Sequence, residues 1–258
     1  MDADREFLAQ LPSWGFAFAL LIARTGSACM LLPGIGEVEL PAMLRAGFTV
    51  ALAALLLPVL LPLIPPMPAS AWGAFAMIGA EVITGLWLGW LARLLLLALP
   101  VAGQIVASMT GLANVLQPDP ALGPQTSVLA RALGMAAPVA VLATGLHALP
   151  LQALAGSYRL IAPGTLLPAA DTAEQVTMAV ATGFALALRL AAPFVLVGIV
   201  FHAAMGLLAR LVPNMQVYFA LMPGQILGGL ALLALLAATL LTAWQSALGG
   251  GFAALPGL

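Results

Sequence analysis

Ionisable side chains are scarce in this chain, and several stand where charge is costly. Arg24, Arg45, Glu81, Arg93, Arg131, Arg189 and Arg210 lie within or at the edges of long apolar runs. On insertion scales a charged group at the centre of a membrane helix costs about 2.5–3.5 kcal/mol, so such groups pair or face a cavity. Arg45, Arg131 and Arg210 have a plainer alternative as helix ends whose guanidinium groups reach the lipid headgroups. Glu81 and Arg93 are separated by about 18 Å along one helix at 1.5 Å per residue. They cannot pair with each other within a straight helix, so each needs another partner.

The remaining reactive residues do not assemble a catalytic pattern. His147 and His202 stand in GLHALP and VFHAAMG, with no carboxylate nearby in sequence. A metal site or proton relay gathers several His, Asp or Glu at matched spacing, and two isolated histidines read as helix-packing residues. No phosphate loop, nucleophile elbow or zinc motif occurs. The single cysteine, Cys29, sits in an apolar run and reads as a small buried hydrophobe. The expectation is a protein that is not an enzyme and holds no cofactor or metal.

Composition sets the solvent. Of 258 residues, 63% are hydrophobic and 7% are charged, and mean hydropathy is +1.13. Soluble domains carry about 25% charge. A chain this poor in charge cannot cover its own surface in water, so lipid or other apolar subunits must do so. All 8 basic residues are arginine and the net charge is −1, which gives no general attraction to nucleic acid. The N-terminus, MDADREF, is acidic and lacks the basic start of a secretory signal, so the first apolar segment is expected to be retained.

Charge-free spans at 46–80, 94–118, 132–158, 190–209 and 211–258 locate the membrane candidates. A spanning helix needs about 20 apolar residues, whereas a spanning strand shows alternating polarity. Runs such as GGLALLALLAATLLTAW do not alternate. The fold class is therefore an all-α membrane protein, with six or seven apolar helical segments near 12–32, 42–62, 71–99, 101–116, 126–151, 175–209 and 220–246. Pro100, Pro138, Pro193 and Pro223 are expected to kink or break these segments. The arginines are too scattered to assign orientation by the positive-inside rule.

Two connectors are distinct. LPLIPPMPAS (61–70) reads as an extended turn. SYRLIAPGTLLPAADTAEQ (157–175) is the most polar long stretch and is expected at a water interface, with Asp171 and Glu174 opening the next helix. Glycine pairs at four-residue spacing, Gly85 with Gly89 and Gly224 with Gly228, are expected to let neighbouring helices approach closely. A third irregular stretch, GLANVLQPDPALGPQTSVLAR (111–131), is an island of proline and polar residues between apolar segments.

Four stretches together resemble a known family. RTGSACMLLPGIGEVELPAMLRAGF resembles the opening of the FliR family of flagellar biosynthesis proteins, through Arg24, Pro33, Pro41 and Arg45. The central run matches through Gly111, Leu112, Asp119, Pro120 and Arg131. TGLHALPLQALAGSYRLIAPG matches through Gly145, His147 and Pro163, and GLLARLVPNMQVYFALMPGQILGGL through Gly206, Arg210, Pro213, Val217, Phe219, Pro223 and Gly229. This sequence departs from the family pattern at Asn214 and Gln216, which look exchanged. It also lacks the aromatic residues usual before Asp119-Pro120.

The resemblance implies a subunit of a type III secretion export gate, built of tilted helical hairpins. It implies a FliP-like part over about 1–170 and a FliQ-like part over about 171–258. The partners implied are FliP-like and FliQ-like subunits, FlhA-like and FlhB-like neighbours, unfolded export cargo and membrane lipid. The place implied is the flagellar basal body in the bacterial inner membrane. The central loop, Ala113, Asn114, Val115, Leu116, Gln117, Pro118, Asp119 and Pro120, is implied to plug the channel. Without aromatics there, Val115 and Leu116 are left as its apolar seal. Arg24, Glu81, Arg93, Arg131, Arg189 and Arg210 would then find partners across subunit interfaces. An injectisome subunit of the same family is the nearest alternative. A small-molecule secondary transporter is the alternative of another class, although no inverted repeat is visible.

Overall fold

The computed structural model describes the backbone of residues 2–115, 126–211 and 217–258, and the side chains of 10–113, 126–211 and 221–258. The helices are α1 (Asp2–Cys29), α2 (Ala42–Leu60), α3 (Ala71–Leu96), α4 (Ala98–Met109), α5 (Leu112–Val115), α6 (Val128–Ala143), α7 (Ala148–Leu160), α8 (Ala169–Leu211) and α9 (Val217–Ala253). No strand occurs among the described residues. Four stretches are long and apolar enough to cross a membrane, or five if α6 and α7 cross as one broken pair. The protein is an all-α membrane protein.

Proline and glycine place the breaks, but not all where the sequence suggests. The α3–α4 break falls at Leu97, ahead of Pro100. A proline has no N–H for the carbonyl four residues back, and its ring crowds that carbonyl. For Pro100 that carbonyl belongs to Leu96, the last residue of α3. Pro100 itself then sits in the first turn of α4, where no donor is required. Similarly, α2 gives way to a single 3-10 turn over Leu61–Leu63, and Ile64, which precedes Pro65, is extended.

Pro138, Pro193 and Pro223 do not break their helices: α6, α8 and α9 each run through them. Each proline removes one ladder bond. Leaving the helix in an apolar environment would strand many more backbone groups. Conversely, the stretch 126–151 divides into two helices. Gly145 takes a left-handed conformation (φ 75°) between α6 and α7, which glycine adopts without steric penalty.

The chain packs as two compact units. The first comprises residues 1–94, 141–179 and 249–258, and the second residues 95–140 and 180–248. In the first, α1 and α2 form an antiparallel hairpin whose core is Leu21, Ala53 and Leu60 with Tyr158 of α7. In the second, Val106 of α4 meets Ala191 and Phe194 of α8, with Leu232, Leu233, Leu236 and Leu240 of α9 around them.

Candidate functional site

The first unit encloses a charge pair. Arg24 of α1 and Glu81 of α3 are both fully buried and form a bidentate pair. The Arg24 Nε donates to Glu81 Oε2 at 2.7 Å, and Nη2 donates to Oε1 at 2.9 Å. Two parallel charge-assisted bonds fix both distance and orientation. Two further guanidinium protons are also used: Nη1 donates to Ser157 Oγ at 3.2 Å and Nη2 to the Ile161 carbonyl at 3.2 Å. The guanidinium lies 4.1 Å from the Tyr158 ring centroid, a cation–π distance. The backbone N–H of Gly164 donates to Glu81 Oε1 at 2.7 Å. One arginine thus ties α1 to α3, to α7 and to the turn after α7.

Glycine makes this approach possible. A Cβ added at Gly85 would collide with Ser27 Oγ and the Arg24 carbonyl, and one at Gly89 would lie 2.8 Å from the Ala28 carbonyl. The Gly85–Gly89 face is therefore the seat of α1, and it brings Arg24 level with Glu81. Gly164 (φ 78°) turns the segment after α7 against Met77. Ser157 and Tyr158 are buried here, at 0% and 2% exposure. This corrects the expectation that 157–175 as a whole lies at a water interface: its first turn is a wall of the charge cluster.

A second pair closes the turn between α1 and α2. Arg93 Nη1 donates to Glu37 Oε1 at 2.5 Å, and the Gly34 N–H donates to the same oxygen at 3.3 Å. For Arg24, Glu81 and Arg93 the partners lie within the chain, which corrects the expectation of pairing across subunit interfaces. Arg131, Arg189 and Arg210 are exposed and form no ion pair among the described residues. Arg45 is half-buried, and its Nε has no hydrogen-bond partner. His202 Nδ1 lies 2.6 Å from the Gly198 carbonyl.

In the second unit, both flanks of the central loop are tied to glutamines. Helix α4 ends at Met109, and Gly111 takes the left-handed conformation (φ 77°) that commonly stops a helix. Gln225 Nε2 of α9 donates to the Met109 carbonyl at 2.9 Å. On the far side, the Ser127 N–H donates to Gln104 Oε1 of α4 at 2.9 Å, and Ser127 Oγ caps α6 by accepting from the Ala130 N–H at 3.2 Å. Of the loop residues singled out, Ala113, Asn114 and Val115 fall at α5, while Leu116, Gln117, Pro118, Asp119 and Pro120 lie outside the described residues.

The second glycine pair differs from the first. A Cβ at Gly224 or Gly228 would meet nothing within 4 Å. The close approaches on this side are made by Gly229, whose Cβ would lie 2.5 Å from Thr110, and by Gly198 against Met109 at 3.1 Å. Among the described residues, then, no helix of the chain itself is seated on Gly224 and Gly228.

Chemically, the cluster fixes helices against one another. Arginine does not deprotonate, and both Glu81 oxygens are engaged by donors. No group of three or more His, Cys, Asp or Glu among the described residues is placed to hold a metal.

Residues 16–250 match the family model described as "Bacterial export proteins, family 1". A flagellar biosynthetic protein FliR of Caulobacter vibrioides is 32% identical over 229 residues, covering 89% of this chain and 91% of the relative. A protein of the same name from Bacillus subtilis is 26% identical over 215 residues, 80% of each chain. The chain belongs to the FliR family of bacterial export proteins. The matched region contains Arg24, Glu81, Ser157, Tyr158 and the turn after α7, and both flanks of the central loop. Sequence reading found Arg24, Glu81 and Arg93 through the cost of charge in apolar runs. It missed Glu37, Ser157, Tyr158, Gln104 and Gln225. Glu37 has a visible signal, a carboxylate in the glycine-flanked turn GIGEVEL. The others are ordinary polar residues whose role depends on a distant neighbour.

Proposed function

We propose that this FliR-family chain is a non-enzymatic subunit of the flagellar protein-export gate. It assembles with FliP-like and FliQ-like subunits into a protein-conducting channel, beside FlhA-like and FlhB-like neighbours in the bacterial inner membrane. Its cargo is unfolded exported protein. The sequential division into a FliP-like part, about 1–170, and a FliQ-like part, about 171–258, belongs to the same reading. The observation that carries it is the match over residues 16–250, together with relatives that are named for flagellar biosynthesis. That name favours the flagellar over the injectisome system. The apolar surface supports a life among other subunits or lipid: only 6% of the most apolar window of α9 is buried within the chain.

Deletion of the gene tests this. Loss of swimming and of flagellin export is expected, with both restored by the gene in trans. Normal filament assembly in the deletion strain would overturn the assignment. The central loop is assigned as the plug. Removing residues 113–124 while keeping α4 and α6 is expected to raise ion leak across the membrane in cells that assemble the mutant complex. An unchanged leak in an assembled complex removes the plug role and leaves the export role standing.

A further inference from the structure

Between α8, α9 and the end of α4, the second unit holds a cavity of about 280 Å³. Phe194, Val197 and Phe201 form its α8 wall; Gly224 and Gly228 form the α9 wall. Gln225 also lines it and is 8% exposed. Its Nε2 is committed to the Met109 carbonyl, but its Oε1 has no hydrogen-bond partner. A buried carbonyl without a donor is costly and rarely left so.

The chain itself indicates what fits such a face. GLWLG on α3 and GQILG on α9 carry the same four-residue glycine spacing. In the first, the lane over Gly85 and Gly89 is filled by α1, whose carbonyls at Arg24 and Ala28 lie where side chains would be. In the second, the lane over Gly224 and Gly228 is open. Small residues at this spacing allow backbone-to-backbone contact with a helix. A lipid tail could cover the lane, but it has no donor for the Gln225 carbonyl.

Building on the function proposed above, we propose that the Gly224–Gly228 face is the docking site for an apolar helix of a neighbouring, different subunit. That helix places a bulky apolar side chain against Phe194 and Val197. A serine, threonine or side-chain amide on it donates to Gln225 Oε1.

The test uses the full chain produced in its own host with its neighbours. A photo-reactive residue at Val197 is expected to give an adduct with one other export-apparatus subunit. Mass spectrometry should place the adduct in an apolar helix containing Ser, Thr, Asn or Gln. Gly228→Leu is expected to lower that adduct and the yield of assembled complex at least tenfold. It should leave the level and melting temperature of the singly produced chain unchanged, since a Cβ at Gly228 meets nothing within 4 Å and the cavity of about 280 Å³ that Gly228 lines has room for the rest of the side chain. Should Gly228→Leu be poorly produced alone, the paired change Gly224→Ala with Gly228→Ala serves, with a threefold fall in adduct expected. Adducts only with lipid or with a second copy of this chain overturn the proposal, as does wild-type assembly of the substituted chain. Those results leave the deletion phenotype untouched, so this proposal and the export assignment fail separately.

Discussion

Glu81→Ala is expected to cost the first unit about 3–5 kcal/mol, the usual penalty for leaving one partner of a buried ion pair alone. Domain stabilities are about 5–15 kcal/mol, so most of the margin would go. The size follows from what Glu81 holds. Removing it strips two bonds from a fully buried guanidinium and the acceptor from the Gly164 N–H. Arg24 would retain only Ser157, the Ile161 carbonyl and the Tyr158 ring. Thermal unfolding of the detergent-purified chain and its steady-state level in cells are the measurements. Glu81→Gln should fall between wild type and Glu81→Ala, because an amide oxygen can still accept from Gly164. The double change Arg24→Met with Glu81→Leu should be less damaging than Glu81→Ala alone, since it leaves no unpaired charge. A Glu81→Ala chain melting at the wild-type temperature would show that the cluster does not hold the unit together.

Gly85→Ala is the second large effect expected, although it adds only one carbon. That carbon would occupy the space of Ser27 Oγ and the Arg24 backbone carbonyl. A side chain can turn away, but a helical carbonyl cannot, so α1 must move off α3. Overpacking of this kind costs about 1–3 kcal/mol. Here the displaced residue is Arg24 itself, so the bidentate geometry is lost as well and the upper end of the range applies. The same helix supplies its own control. Gly79 has nothing within 4 Å of a Cβ, and Gly79→Ala should be neutral or stabilising by up to about 1 kcal/mol, the helix-propensity difference. Adding Ser27→Ala to Gly85→Ala relieves one collision and leaves the carbonyl, so only partial rescue is expected. Equal melting temperatures for Gly85→Ala and Gly79→Ala would contradict the close α1–α3 contact.

The two glycine pairs show where pattern stops informing. GLWLG and GQILG are indistinguishable as sequence, since each sets two glycines on one helix face. One is filled within the chain and the other is open, because occupancy depends on which helix the fold brings alongside. The prolines divide in the same way. Pro100 ends α3 four residues upstream by local sterics alone. Pro193 lies inside a helix that continues, because its surroundings make a break costlier than one lost hydrogen bond.

By itself the sequence determined the class of protein, helices in an apolar solvent, and singled out Arg24, Glu81 and Arg93 among the charges that are costly in apolar runs. Those conclusions rest on composition, periodicity and the free energy of burying charge, which are properties of single residues and their near neighbours. The tertiary structure decided which charge meets which. Arg24 and Glu81 are 57 residues apart and Arg93 and Glu37 are 56 apart. Any exposed arginine could have been drawn to either acid. What selects the pairs is the register of α1 on the Gly85–Gly89 face, and register is set by steric fit between distant segments.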